Sequence, residues 1–384
     1  MKVLQEQQSS FSNSQSADAV PSQQKHLLHV FPTFAVGGSQ MRFAQLAKLH
    51  GPRYRHTVLA LDRNYDMAGR LAELPIAYEK LHFDKRKALE SWRQFYRTLG
   101  AIRPDVLLTY NWGAIEWALV NRTGVAARHI HVEDGFGPEE AQRQLLRRVW
   151  TRRLALSGRN TTVILPSRNL EQIALRQWAL SPARVRFIPN GVNCIRFAAP
   201  LRDSREEDGR IVIGTIASLR REKNIARLIK AFARISAQRK IGSIELVIVG
   251  DGAERPALEQ LASQLDVAGR VRFAGQTNRP EDWLPQMDIF GLSSDTEQMP
   301  LSLLEAMAAG LPVVATDVGD VAQMVSQANR SYVVPADDDA FAAGLMRLID
   351  DRSAQREIGR ANEKKARENF DEEVMAARYA EIIG

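Results

Sequence analysis

RIVIGTIASLRREKNIARLIKAF, residues 210–232, contains in one line the unit from which the whole chain is built. Ile211, Val212, Ile213 and Ile216 make a short β-branched run of the kind that forms a buried strand. Ile225, Leu228, Ile229 and Phe232 then recur at helical spacing. Between the two runs stand Arg220, Arg221 and Lys223, where a strand ends and a helix begins. Fixed positive charge beside the unpaired amides of a first helical turn is a good clamp for a diphosphate.

The same strand, loop and helix recur outward in both directions. Upstream, the apolar runs are HLLHVF (26–31), HTVLAL (56–61), DVLLTY (105–110), RHIHV (128–132), TTVILP (161–166) and VRFIP (185–189). Downstream they are IELVIVG (244–250), RVRFAG (270–275), MDIFGLS (287–293), LPVVAT (311–316) and SYVVP (331–335). SQMRFAQLAKLHG, LESWRQFYRTLGAIRP and ERPALEQLASQL have helical spacing between them. Alternation of this kind predicts βαβ units and an α/β fold with parallel sheets. The polar stretch PLRDSREEDGR (200–210) interrupts it and is the linker candidate. The expected organisation is a disordered polar tail over 1–25, an N-terminal α/β domain over 26–200 and a second over 201–370. A last amphipathic helix over 371–384 is expected to pack back on the N-terminal domain.

Composition sets the outer limits. A length of 384 residues suits two domains, and 45% hydrophobic with 25% charged residues is ordinary for a soluble globular protein. No run approaches the roughly 18 to 20 apolar residues of a membrane span, and the Gln- and Ser-rich start lacks a signal-peptide core. A lone cysteine, Cys194, fits a reducing compartment, so a cytoplasmic location is expected. All seven histidines lie at or before His131, which leaves the second half without the usual ligands of a zinc site. No HExxH, paired CxxC or P-loop motif occurs, and no resident metal or cofactor is expected. The net charge of +7 suits acidic ligands, yet no nucleic-acid motif accompanies it, and no nucleic-acid partner is expected.

In open parallel sheets ligands bind beyond the carboxyl ends of strands, so the loops there carry the chemistry. TFAVGGSQ opens a helix with Gly37 and Gly38, where an amide can approach a ligand closely. VGDG supplies Gly250 and Gly252, but Arg255 stands where a dinucleotide fingerprint needs its third glycine. SSDTEQMPLSLLEAMAAGLPVVAT (293–316) is the most specific. It places Glu297 before a helix and Glu305 on it, with Pro300 in the first turn and the amides of Ser302 and Leu303 open to phosphate. Carboxylates for hydroxyls and amides for phosphate are what one nucleotide sugar requires.

VGGSQ, LRREKN, VGDG, FAGQ, E-x7-E and AAGLPVVATDVGD in this order resemble the retaining glycosyltransferases of family 4, whose GT-B architecture sets two Rossmann-like doubly wound domains across a cleft. The resemblance runs from about His26 to the C-terminus. It implies that Glu305 holds the donor ribose, that Glu297 lies at the reacting sugar carbon and that Lys223 neutralises the diphosphate. It further implies that Gly38 faces the transferred group and that His131, in HIHVEDGFG, contacts the sugar. Three features depart from the family pattern, one of them the acidic pair Glu133 and Asp134 that follows His131. Ser218 stands in place of an arginine, with Arg220 as the nearby substitute, and Gln298 replaces a glycine.

The resemblance implies metal-independent transfer of a hexose-type sugar from a UDP- or GDP-linked donor, with retention, to a saccharide or lipid-linked acceptor in cell-surface polysaccharide or lipopolysaccharide synthesis. A non-catalytic nucleotide-sugar scaffold and a GT-B epimerase or phosphorylase are the alternatives. Acceptor-side candidates are Asn111 and Trp112, in the aromatic stretch YNWGAIEWALVNR, whose rings suit either a platform for a sugar or the core, with Glu133 and Asp134 after His131. The arginines between Arg143 and Arg159 either form a solvated helix face or hold the chain at an anionic inner-membrane surface.

Overall fold

The computed structural model describes residues 24–81, 88–123, 127–136, 138–140, 143–198, 210–238 and 244–384. The N-terminal tail, apart from its last residues, and most of the linker lie outside the described residues.

The first sheet comprises β1 (Lys25–Phe31), β2 (Tyr54–Ala60), β3 (Ile76–Glu79), β4 (Val106–Tyr110), β5 (Arg128–Val132), β6 (Thr161–Leu165) and β7 (Val185–Phe187). The second comprises β8 (Ile211–Ile216), β9 (Ile244–Val249), β10 (Val271–Gly275), β11 (Ile289–Leu292), β12 (Val313–Thr316) and β13 (Val333–Val334). Every strand pairing within them is parallel. Their orders, β3-β2-β1-β4-β5-β6-β7 and β10-β9-β8-β11-β12-β13, follow the same doubly wound scheme. The strand order reverses between β1 and β4 in one sheet and between β8 and β11 in the other, so a crevice opens at each of these points.

Helices cover both faces, as parallel sheets require. Around the first sheet run α1 (Gly38–His50), α2 (Ala88–Ile102), α3 (Ile115–Arg122), α4 (Leu146–Leu156) and α5 (Arg168–Arg176). After the short α6 (Cys194–Phe197) come α7 (Ile225–Ser236), α8 (Arg255–Gln264), α9 (Leu301–Ala308), α10 (Val321–Met324), α11 (Asp338–Asp350), α12 (Arg352–Asn369) and α13 (Glu372–Ile383). Met375, Ala376, Tyr379 and Ile383 of α13 share one apolar cluster with Leu27 and Phe31 of β1, so the end of the chain packs on the first sheet. Among the described residues no helix is long and apolar enough to cross a membrane.

The sequence expected Pro300 within the first turn of α9, but it is the capping residue, with an extended ψ of 124°, and the helix starts at Leu301. Proline disfavours helical geometry in the residue before it, which keeps Met299 and the Glu297 loop out of the helix. At the other end Gly310, at φ 72°, closes α9 with paired bonds from Gly310 N to Met307 O and from Leu311 N to Ala306 O.

Candidate functional site

Two loops meet at the crevice of the second sheet. One follows β8 and carries Lys223. The other follows β11 and carries Glu297. Lys223 Nζ lies 2.6 Å from Glu297 Oε1, and Ser294 Oγ donates to the same oxygen at 2.7 Å. The two loops are further tied by Asp295 N to Glu222 O at 2.9 Å and by Asn224 Nδ2 to the Asp295 carboxylate at 3.0 Å. Asn224 adopts the left-handed conformation at φ 41° while its side chain caps α7. That single residue therefore starts the helix and fixes the loop. Arg227, buried one turn later, donates to Ser293 O at 2.7 Å and pairs with Asp295 and Asp338.

The back of the Glu297 loop rests on the turn after β12. Gly319 sits at φ 58°, and a Cβ there would lie 2.3 Å from Glu297 O. Gly319→Ala must therefore strain its own backbone and push the Glu297 peptide forward. Expected is a loss of about 1–3 kcal/mol in urea unfolding, with a larger proportional loss of turnover than of stability. Unchanged turnover in a destabilised protein would show that this peptide's position does not matter.

Glu305 lies half-buried in α9, and desolvation of its carboxyl lifts its pKa to about 7; Arg196 opposes the shift and Glu281 adds to it. Ser302 and Leu303 belong to the first turn of α9, where amides have no partner within the helix. Gly38 is the first residue of α1, and a Cβ there would meet nothing within 4 Å. Arg220 is mostly exposed and pairs with Glu222 at 3.1 Å, beside an exposed Ser218.

Gly250 has a different place from the one expected. Its N–H is already donated to Gly275 O at 2.8 Å, and a Cβ there would come within 1.8 Å of Ala217 O. The glycine is needed for close contact between two backbones, and its amide is not free for the donor.

The loops of the first sheet reach the same cleft. Gln298 accepts from Ser167 Oγ at 3.2 Å, and its Cγ bounds the space beside Gly135. Asp320, beyond Gly319, accepts from the N–H groups of Arg168 and Asn169 at the start of α5. Burial holds the Asp320 carboxyl above its ordinary pKa against these bonds.

A chain of hydrogen bonds runs deeper through the cleft. Asn111 Oδ1 accepts from Asp134 N at 2.7 Å, and Arg42 pairs with the Asp134 carboxylate. Arg42 also donates to Asn190 Oδ1 at 2.7 Å, and Asn190 Nδ2 donates to Met299 O at 3.0 Å. Burial works most strongly against the Arg42 charge, but Asp134 together with Tyr379 and Tyr110 raises the guanidinium pKa on balance. Arg42, Ser167, Asn190, Gly319 and Asp320 were not among the sequence candidates.

His131 and Glu133 are fully buried. His131 Nδ1 lies 2.8 Å from Thr109 Oγ1, and Nε2 lies 3.4 Å from Glu133 Oε2. Arg152 of α4 reaches Glu133 Oε2 at 3.3 Å and Glu140 Oε2 at 3.0 Å. Glu133 is therefore corrected from an acceptor contact, and His131 from a sugar contact, to groups enclosed in the interior. The Glu133 side chain is spent on an interior arginine. Trp112 is not an open platform either, since the guanidinium groups of Arg148 and Arg152 stack 5.1 and 5.0 Å from its ring. Trp117 of the same stretch is core, stacked on Phe95 at 4.6 Å.

Comparison with known proteins agrees with this architecture. A model described as Glycosyltransferase Family 4 matches residues 36–196, and one described as Glycosyl transferases group 1 matches residues 200–365. Phosphatidyl-myo-inositol mannosyltransferase of Mycolicibacterium smegmatis is 32% identical over 51% of this chain and 50% of its own. UDP-Gal:alpha-D-GlcNAc-diphosphoundecaprenol alpha-1,3-galactosyltransferase of Escherichia coli is 25% identical over 69% and 72%. The chain spans about half the length of most curated relatives it matches. The crystal structure of Anabaena Alr3699/HepE in complex with UDP superposes with a TM-score of 0.79 at 19% identity, covering 93% of this chain and 98% of that one. With both halves of the fold matched in order, the chain belongs to the group 1 glycosyltransferases of family 4, with the GT-B fold.

Proposed function

We propose that the protein transfers a hexose-type sugar, with retention and without a metal, from a UDP- or GDP-linked donor to a saccharide or lipid-linked saccharide in cell-surface polysaccharide or lipopolysaccharide synthesis, working at the inner face of the cytoplasmic membrane. The observation that carries this reading is the Lys223–Glu297 pair at 2.6 Å, placed at the crevice where the order of the second sheet reverses. The relatives' names support the acceptor class, one being a phosphatidyl-myo-inositol mannosyltransferase and the other acting on a diphosphoundecaprenol-linked sugar.

In this mechanism Lys223 and the first-turn amides of α9 receive the diphosphate, and Glu305 accepts hydrogen bonds from the ribose. The bond between the anomeric carbon and the diphosphate oxygen breaks as the acceptor oxygen attacks from the same face. The acceptor's proton passes to the departing phosphate oxygen. Glu297 places a negative charge beside the carbon at which positive charge develops. Arg42 and Asn190 hold the loops that frame this carbon.

The test is a thermal-shift series with UDP, GDP, ADP and their common sugars, on wild type and Glu305→Ala. A ligand at 100 times its Kd stabilises the native state by about 2.7 kcal/mol, a rise of roughly 5–10 °C in a domain of this size. A rise with one nucleotide class, lost in the variant, is expected. A folded sample that responds to no nucleotide overturns the reading. A rise without sugar transfer to any membrane-extract acceptor would identify a scaffold.

A further inference from the structure

The arginine-rich segment divides into two faces when it is built as α4. Arg148 and Arg152 point inward. Arg148 pairs with Glu139 and Glu140, and Arg152 is fully buried between Glu133 and Glu140. Burial opposes ionisation of Glu140, but Arg152 and Arg148 together hold its carboxyl below the ordinary range. Ala155 and Leu156 complete this inner face.

The outer face is of opposite character. Leu146, Trp150 and Leu154, spaced at i, i+4 and i+8, are 66%, 65% and 59% exposed. Each would ordinarily be buried, and three in line on one face are not scattered surface apolar residues. Arg147 and Arg153 are exposed on the same side, with Arg143 just before the helix and Arg159 just after it. Arg153 lies over the Trp150 ring at 5.3 Å. No acidic residue occurs between Arg143 and Leu170. The stripe is thus apolar along its centre, cationic along its flanks and anchored by its inner ion pairs.

We infer that the outer face of α4 is a docking surface for an anionic lipid bilayer, with Leu146, Trp150 and Leu154 entering the headgroup boundary and Arg143, Arg147 and Arg153 meeting the lipid phosphates. An apolar ridge with arginine flanks and no acidic residue matches that interface, where tryptophan sits at headgroup depth and arginine extends to the charge. The inner face ties the same helix through Arg152 and Glu133 to His131, so docking sets the first sheet's loops at the bilayer. The inference deepens the membrane-borne acceptor of the proposed function and rests on that reading for its purpose. The binding itself requires no sugar.

The full chain is sedimented, without nucleotide, with phosphatidylcholine vesicles and with vesicles containing phosphatidylglycerol, at about 0.15 M salt. Wild type is expected on the anionic vesicles and not on the neutral ones. L146S/W150S/L154S and R143E/R147E/R153E should each lower the bound fraction at least about tenfold. R360E/K364E/R378E makes the same charge change on exposed positions of α12 and α13, and should stay within about twofold of wild type. Circular dichroism melting checks that each variant is folded, and W150S alone serves if the triple variant is not.

A folded wild type that ignores anionic vesicles overturns the inference. So does an equal loss with the α12 and α13 variant, which would make the effect one of net charge alone. A wild-type dimer that L146S/W150S/L154S splits, with no vesicle binding, would make this face an interface between copies and overturn it as well. Vesicle binding by a chain that takes no nucleotide sugar would sink the transferase reading and leave this one standing; nucleotide binding and turnover on a soluble acceptor without vesicle binding would do the reverse.

Discussion

Turnover of the Glu297→Gln protein should fall by about 10²–10³-fold at saturating nucleotide sugar, with nucleotide diphosphate affinity kept within about threefold. Glutamine keeps the volume and one acceptor oxygen, so Ser294 Oγ and Lys223 Nζ, now 2.7 and 2.6 Å from Oε1, retain a partner. The change removes the negative charge. In the proposed mechanism that charge matters only once positive charge has developed on the sugar, so the loss belongs to kcat. Lys223→Ala makes the contrast. In that mechanism its ammonium faces the diphosphate both before and during bond cleavage, so affinity and turnover should both fall, each by about tenfold or more. Nucleotide release gives the rates and calorimetry gives the affinities. A Glu297→Gln enzyme at wild-type rate would remove Glu297 from the chemistry, whatever the affinity.

That these two residues were legible in the sequence, while their supports were not, has a physical cause. Lys223 and Glu297 follow apolar strands in loops rich in charge, and a strand's carboxyl end is where the fold opens. The bonds that hold the cleft together join residues far apart in the chain. Arg42 to Asn190 spans 148 residues, Arg42 to Asp134 spans 92, and Asp320 to Arg168 spans 152. No local pattern records such pairs. An arginine inside the apolar spacing of α1 was the only hint that Arg42 faces inward.

The strands show the same division. Each apolar run quoted from the sequence forms one, while β3 leaves no such run because IAYE is a four-residue edge strand with alternate residues exposed. YNWGAIEWALVNR suits an aromatic platform and core packing equally, and no local pattern separates the two. Asn111 takes a positive φ of 55°, a short 3-10 turn follows, and α3 then carries Trp117 into the core. In α4 the spacing of Arg148 and Arg152 already put them on one side. Only their partners Glu133 and Glu140, supplied by other segments, decide that this side faces inward.

Glu305→Gln should separate stability from function more sharply than any other substitution. A carboxyl whose pKa rises from 4.5 unfolded to about 7 folded binds more protons in the native state between those values. Stability therefore falls as pH rises from about 4.5 to 7, and the cost stays constant above that. With partial solvation allowed for, it is of order 2 kcal/mol. Glutamine carries no such charge, so the ligand-free variant should melt several degrees above wild type at pH 8 and about level with it at pH 4. In the proposed mechanism the same carboxylate accepts from both ribose hydroxyls at once, which both of its oxygens can do only when it is ionised. Wild-type affinity for UDP-glucose or GDP-mannose, whose diphosphate does not titrate here, should thus rise up to roughly thirtyfold from pH 5.5 to 8 and flatten above pH 7. The variant should bind weakly at every pH. Melting curves and calorimetry at three pH values read both effects. A variant no more stable than wild type at pH 8 would mean that Glu305 is not held out of water. Flat wild-type affinity across this range would mean that its carboxylate does not meet the donor.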